Sequence, residues 1–459
     1  MLVRDLKRLV FVIGPLLVFF LVALRCFNWK DPATLRSQLG HWNEWIEHKF
    51  TPEADGQLPL PDISGLTGDS SVFVPPVPGS GPDPDPDDGK THHEIFSVST
   101  ADKKYFNITF GDKPSLNPNI IPHPVTDGTW IIVAQLNNID DPNPSPWFAE
   151  LVCDAVFGPE GLQCAGQPSI LPIAATTGDK CEGDLGYFGF NVGPHDARVF
   201  YGPRTPYAMY GSNSMFTCFG QWMQDFRVLV DWGVELFTQD DFRVGTELQR
   251  PLPYRPVEKN WFIFWDSRKR MYAHYDVFPT RAFAELNADG SVGEDLAPAA
   301  AARDNKCLAA YMPTLPEKLE SIHQATNSLA ITLCRRADPS CRAADDNTFV
   351  FTIIQHKTFY RFHSAYDPYV VVFRQRAPFE IYAISKKPVW IHGRGMYDVE
   401  HDLSEMYYVT SMSWKARGQK YHGYLDDVLF LAFGIEDRRT GGIDVTAAAL
   451  LANLGRCPE

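Results

Sequence analysis

Apolar residues in this chain gather in short clusters of β-branched and aromatic side chains rather than in long helical stripes. WIIVAQL from Trp130, ARVFYG from Ala197, WFIFW from Trp261, FVFTIIQ from Phe349 and MYYVTSMSW from Met406 are five such blocks, with Gly, Pro, Asn and Asp punctuating the gaps. The pattern predicts antiparallel strands joined by turns. Two segments are expected to be helical packing elements, one around Leu315 to Leu333 and one from Val445 to Leu454. Five recurrences of a sheet module predict an all-β fold, a five-bladed β-propeller whose short blades protect one another's edges around a central channel. A β-sandwich is the alternative.

The start of the chain reads differently. Leu9 to Leu24 (LVFVIGPLLVFFLVAL) is apolar, with Arg4, Lys7 and Arg8 before it and Arg25 and Lys30 after it. Extended through Cys26 and Phe27, it approaches the twenty or so residues that cross a bilayer. The expectation is an N-terminal transmembrane helix acting as signal anchor over 9–27, with a cytosolic tail over 1–8. A cleaved signal peptide is the alternative, although Leu24-Arg25-Cys26-Phe27 lacks a small-x-small site. Residues 28–94 contain PPVPGSGPDPDPDDGK and read as a stem. The lumenal catalytic domain is expected over 95–459, in a single-pass type II protein of the Golgi or endoplasmic reticulum membrane.

The formal net charge of -14 argues against nucleic acid as the main ligand, because phosphate binding needs a concentrated basic surface. Beyond Cys26, the cysteines 153, 164, 181, 218, 307, 334, 341 and 457 are even in number, as disulfides in an oxidising compartment require. Their pairing stays open. Asn107-Ile108-Thr109 is an N-glycosylation sequon. No zinc-type ligand spacing, nucleotide-binding glycine loop or G-x-S-x-G elbow appears, and no cofactor is implied.

Candidate chemistry lies in polar residues beside the aromatic blocks. In HDARVFYG, strand alternation puts Asp196 and Arg198 on one face, where the carboxylate can transfer protons beside a guanidinium; an ion pair closing a turn is the structural alternative. Arg198, Arg227, Lys259 and His422 are cations able to converge on a phosphate or nucleotide diphosphate. Trp261, Trp222 and Tyr424 offer flat faces for a sugar ring, or pack in the core. Asp426 and Asp427 either orient His422 and bind hydroxyls or build a tight connection. Asn117-Pro118-Asn119 and His123 open the first blade, facing the ligand or forming a turn. His392 is a further outside candidate.

In order along the chain, HDARVFYG, YGSNSMFTCFGQWMQDFRVL, EKNWFIFW and YHGYLDDVLFLAFGIED together resemble segments of the five-bladed propeller superfamily of β-mannoside phosphorylases and hydrolases. The related fungal-type β-1,2-mannosyltransferases share the anchor-and-stem layout. The resemblance covers roughly 117–437. It implies Asp196 as acid/base with Arg198 as its partner, substrate contacts from Lys259, Asn260 and Trp261 (the K-N-W segment), and from His422 and Gly423 (the H-G segment). His195 and Ala197 stand where that family's pattern has Glu and Pro. The leading expectation is therefore a glycosyltransferase that builds β-mannosidic linkages on a glycan acceptor from a nucleotide sugar such as GDP-mannose. A hydrolase or phosphorylase on the same fold, and a non-catalytic carbohydrate-binding propeller, are the alternatives.

Overall fold

The computed structural model describes residues 91–458 except 138–146, 191, 233–240, 316–319, 361 and 402. They are mostly β with few helices, in a propeller-like arrangement. Strands β1 (His93–Ile95) and β2 (Phe106–Thr109) precede a first antiparallel meander of β3 (Ser115–Pro122), β4 (Trp130–Leu136), β5 (Glu150–Gly158) and β6 (Gly161–Cys164), with β7 (Ser169–Ile170) beside β5. A second meander is β8 (His195–Tyr201), β9 (Pro206–Asn213), β10 (Phe219–Asp225) and β11 (Thr246–Glu247); a third is β12 (Phe262–Trp265), β13 (Met271–Asp276) and β14 (Ala282–Glu285). Helix α1 (Ala301–Tyr311) leads to a fourth, in which β15 (Ser321–His323) and β16 (Leu329–Thr332) both flank β17 (Thr348–Tyr360), followed by β18 (His363–Arg374) and β19 (Ile381–Ser385). Next, β20 (Val389–Ile391) pairs with β1, and β21 (Met396–Asp398) with β22 (Leu403–Ser404). A last meander has β23 (Tyr407–Trp414), β25 (Val428–Ile435) and β26 (Arg439–Thr446), while β24 (His422–Tyr424) crosses to run parallel to β16. Helix α2 (Ala447–Leu450) and strand β27 (Leu454–Arg456), paired with β19, end the described chain.

Strands such as WIIVAQL and LAIT are apolar at all but one position each because both faces of their sheets are covered. Ile121, Val133, Val199 and Phe226 join the first meander to the second. Phe262, Phe264, Val350 and Phe373 join the third to the fourth, and Phe106, Ile132 and Phe430 join the last to the first. Strand β2 lies between β26 and β6, so the last and first meanders form one continuous sheet. All eight cysteines named above are paired: 153 with 164, 181 with 218, 307 with 457 and 334 with 341.

The leading strands of the meanders run in one direction. Asn119 Nδ2 donates to Ala197 O at 2.7 Å, and further along the same two strands Tyr201 Oη donates to Pro122 O at 3.1 Å. Thr410 Oγ1 donates to Pro118 O at 2.7 Å, Met412 N–H to Asn327 Oδ1 at 2.9 Å and Ser328 Oγ to Ile263 O at 2.7 Å. Their N-terminal ends therefore meet at one end of the molecule and their C-terminal ends at the other.

Three expectations change. The helix around 315–333 is replaced by β15 and β16, because Leu329 to Thr332 are buried on both faces between neighbouring strands and pairing overrides the local helical pattern. The helix from 445 to 454 shrinks to the single turn of α2, since Val445 and Thr446 complete β26 and Leu454 begins β27. The single-pass type II membrane location is also corrected: among the described residues no helix is long and apolar enough to cross a membrane. The proposed tail, the anchor over 9–27 and the stem up to residue 90 lie outside the described residues, and β1 (His93–Ile95) already begins in the last two positions of the expected stem range.

Candidate functional site

At the end where the leading strands begin, three of them carry a residue in the left-handed region within or just before their first few paired residues: Asn117 (φ 52°) in β3, Asp196 (φ 51°) in β8 and Asn260 (φ 64°) ahead of β12. Asn and Asp tolerate this conformation better than other non-glycine residues. In β8 a bulge accompanies it: His195 pairs with Gly211 and Arg198 with Met209, so Asp196 and Ala197 share the space of one partner. The bulge breaks strand alternation. Asp196 is exposed while Arg198 is buried, and no ion pair joins them among the described residues, so the shared face expected from spacing does not form.

Both sides of the bulge are held by side chains from the first meander. Asn117 Nδ2 donates to Asp196 Oδ1 at 2.6 Å, and the Asp196 N–H donates to Gln135 Oε1 at 2.9 Å. The Ala197 N–H donates to Glu150 Oε1 at 3.0 Å, and Asn119 Oδ1 receives the Val199 N–H at 3.1 Å. Burial raises the Glu150 carboxyl well above its ordinary value, against the Ala197 hydrogen bond and the nearby Arg198 charge; Asp196 adds to the rise. Glu150 is thus a buried support beneath an open carboxylate, its carboxyl shifted toward the protonated form. Gly434 gives Asn117 room, since a Cβ there would lie 3.0 Å from Asn117 Oδ1.

Cationic and aromatic groups flank Asp196. Arg198 Nη2 donates to Asn260 Oδ1 at 3.3 Å, while the buried Arg198 Nε has no hydrogen-bond partner. Lys259 is exposed and its charge is felt by His195, which packs against Phe148 with ring centroids 3.8 Å apart and the planes tilted by 36°. Burial pushes the His195 imidazole down to about 4, with Asp196 opposing and Lys259 adding to the drop. Tyr408 Oη donates to Asn260 Oδ1 at 3.4 Å and packs against Tyr366, with centroids 4.7 Å apart, forming an aromatic wall. A carboxylate open to solvent, a guanidinium with unused donor capacity and an aromatic wall can together bind a sugar, neutralise an oxyanion and move a proton.

The structure brings Asp196, Arg198, Lys259 and Asn260 together; the other proposed contacts lie elsewhere. Trp261 is buried, donates from Nε1 to Glu258 Oε2 at 3.2 Å and packs edge-on to Tyr275, so it is core. Arg227 is buried in a fork on Asp225, with Nη2 to Oδ2 at 2.7 Å, where β10 finishes opposite Tyr207 near the far end of β8. His422, Asp426 and Asp427 also sit at the opposite end. His422 Nε2 lies 2.8 Å from Thr332 Oγ1, and the adjacent Tyr421 Oη accepts the Trp265 N–H at the finish of β12. Asn260 precedes that strand, and five residues at about 3.3 Å each separate the two ends by about 16 Å. Asp426 receives the Arg336 and Ala337 N–H groups, and Asp427 pairs with Arg336 at 2.6 Å. His392 pairs with Glu94 at 2.7 Å, and Asn107 is exposed on β2.

Sequence reasoning passed over Gln135, Glu150 and Tyr408, and left Asn117 between ligand and turn. One signal was available: Glu150 is the single charged residue in the run WFAELVC, and a lone carboxyl amid apolar strand residues needs a specific partner.

No protein-family model matches the chain, and no curated protein sequence matches it. Solved structures similar to it include a mannose phosphorylase from Leishmania mexicana in complex with phosphate ion, 10% identical at a TM-score of 0.41 and covering 76% of this chain and 89% of that one. A β-1,2-mannobiose phosphorylase from Listeria innocua in complex with β-1,2-mannobiose is 11% identical at a TM-score of 0.40, covering 78% of this chain and 96% of that one. An α-L-arabinofuranosidase from Lactobacillus brevis is 12% identical at a TM-score of 0.37, covering 72% and 90% respectively.

Proposed function

We propose that the chain is a carbohydrate-active enzyme on a five-bladed propeller, transferring a glycosyl group between a glycan hydroxyl and a phosphate oxygen, with Asp196 as acid/base. The observation that carries this reading is the exposed Asp196 carboxylate at φ 51°, gripped by Asn117, on a strand whose Arg198 reaches Asn260 at 3.3 Å. In the cleavage direction, a phosphate oxygen held near Arg198 and Lys259 attacks the anomeric carbon as the glycosidic C–O bond breaks. Asp196 donates its proton to the departing oxygen. In synthesis Asp196 takes the proton of the attacking hydroxyl and the phosphate, free or as a nucleotide diphosphate, departs. Inverting hydrolysis needs a second carboxylate to activate water. The neighbouring carboxyl, Glu150, is fully buried and its Oε1 accepts the Ala197 N–H, which favours phosphate over water as the partner. Mannose as the sugar, and a nucleotide-linked donor, are the finer parts of the proposal and rest on the sequence resemblance.

The test is an assay of the full chain with three pairings: a β-mannoside with phosphate, the same β-mannoside in water alone, and GDP-mannose with a mannan acceptor. Turnover is expected in the first or third, falling roughly 10²–10⁴-fold in Asp196→Asn with an unchanged melting temperature. Free mannose released without phosphate would make the enzyme a hydrolase. Turnover that survives Asp196→Asn would remove Asp196 from the mechanism.

A further inference from the structure

The segment His422 to Asp427 has no part in the site at Asp196, yet it borders an open cavity of ≈ 850 Å³ at the opposite end of the leading strands. Space on that scale suits a small organic ligand and greatly exceeds one inorganic anion. Its aspartates are already matched by arginines: Asp266 with Arg270 at 2.8 Å, Asp345 with Arg376 at 3.7 Å and Asp427 with Arg336 at 2.6 Å. Lys269 and Lys420 remain. Lys269 is exposed on a turn at φ 67°, and Lys420 donates to the Arg204 carbonyl at 2.8 Å, a bond that leaves its charge uncompensated. An excess of positive charge in a cavity of a protein carrying a formal -14 selects for an anion. Gln375 on the wall, whose Nε2 donates to the Trp265 carbonyl at 3.1 Å, keeps its amide oxygen as an acceptor suited to a hydroxyl group. Beyond Lys420 and Gly418 the cavity adjoins a smaller cleft of ≈ 230 Å³ lined by Tyr201 and Trp232, which offers aromatic surface to a continuing sugar chain.

We infer that this cavity is a second ligand site, separate from Asp196, which binds an anionic, hydroxyl-rich ligand of sugar size: a sugar phosphate. Lys269 and Lys420 hold the phosphate, and the Gln375 amide oxygen faces the sugar. The site does not depend on the activity proposed for the other end of the molecule.

Calorimetric titration of the full chain at low salt with α-D-mannose 1-phosphate tests it, with inorganic phosphate as the comparison. Binding is expected to weaken at least tenfold in Lys269→Ala/Lys420→Ala, with unchanged melting temperature, and to persist at this site in Lys259→Ala, which alters the other end. Inorganic phosphate is expected to bind at least tenfold more weakly. Wild-type affinity in the double variant, or a loss confined to Lys259→Ala, would overturn the site. Equal affinity for inorganic phosphate would overturn its sugar component. A protein without glycosyl turnover that still loses sugar phosphate binding in the double variant would refute the proposed activity and support this site.

Discussion

Asp196 depends on the groups that shape its backbone. A bulge with a non-glycine residue in the left-handed region persists only where surrounding contacts over-determine it, and here Gln135, Asn117 and Glu150 each contribute one. Burial shifts the Glu150 carboxyl toward its protonated form. Because its folded pKa is raised above the ordinary 4.5, ionisation costs stability as pH rises above about 4.5. Glu150→Gln, neutral at every pH, should therefore gain stability relative to wild type as pH climbs above 4.5, read from urea midpoints; parallel curves would refute a raised Glu150 pKa. His195 carries the opposite sign. Its imidazole is held down to about 4 from 6.5, so the unfolded chain binds the extra proton and wild-type stability falls as pH drops through that window. His195→Phe, which keeps a ring against Phe148, should flatten that part of the profile. The sequence motif contained Asp196 and Arg198 but not their relation, since strand alternation holds only where no bulge intervenes.

At the scale of elements, short β24 shows how a single glycine directs a strand. A Cβ at Gly423 would lie 2.3 Å from the Trp414 ring, so β24 reaches its place beside β16 only with glycine at that position. Gly423→Ala should destabilise by about 1–3 kcal/mol through overpacking. Gly293→Ala, where the added methyl meets nothing within 4 Å, should change stability by less than about 0.5 kcal/mol. Equal melting temperatures for the two variants would contradict this account. Strand character was readable in all five aromatic blocks, because β-branched and aromatic side chains favour a pleated, covered surface whatever lies far away. The helix expected around 315–333 failed for the converse reason: its apolar spacing suits a helix locally, but Leu329 to Thr332 gain more by pairing with β17 and β24.

For the whole molecule, closure is what holds the two ends of the fold together. Strand β2 inserts between β26 and β6, β27 completes the sheet of β19, and the Cys307–Cys457 disulfide ties α1 to the C-terminal strand across 150 residues. A loop of that length restricts the unfolded chain by about 5 kcal/mol in the entropic account, against about 2 for the seven-residue Cys334–Cys341 loop. Cys307→Ser/Cys457→Ser is thus expected to lower the melting temperature more than Cys334→Ser/Cys341→Ser in matched thermal scans, and the reverse order would show that loop length does not govern the effect. By itself the sequence determined the β-rich character, the even set of cysteines and a polar residue at the start of each of several strands, because these follow from propensity, covalent chemistry and short-range backbone preference. Only the tertiary structure decided which of those residues meet. Asn117, Asp196 and Asn260 converge because their strands run side by side in one direction, and His422 is carried about 16 Å away because a strand's length is fixed by its rise per residue. Contacts between positions dozens to hundreds of residues apart are set by how sheets pack on one another, and no local pattern encodes that.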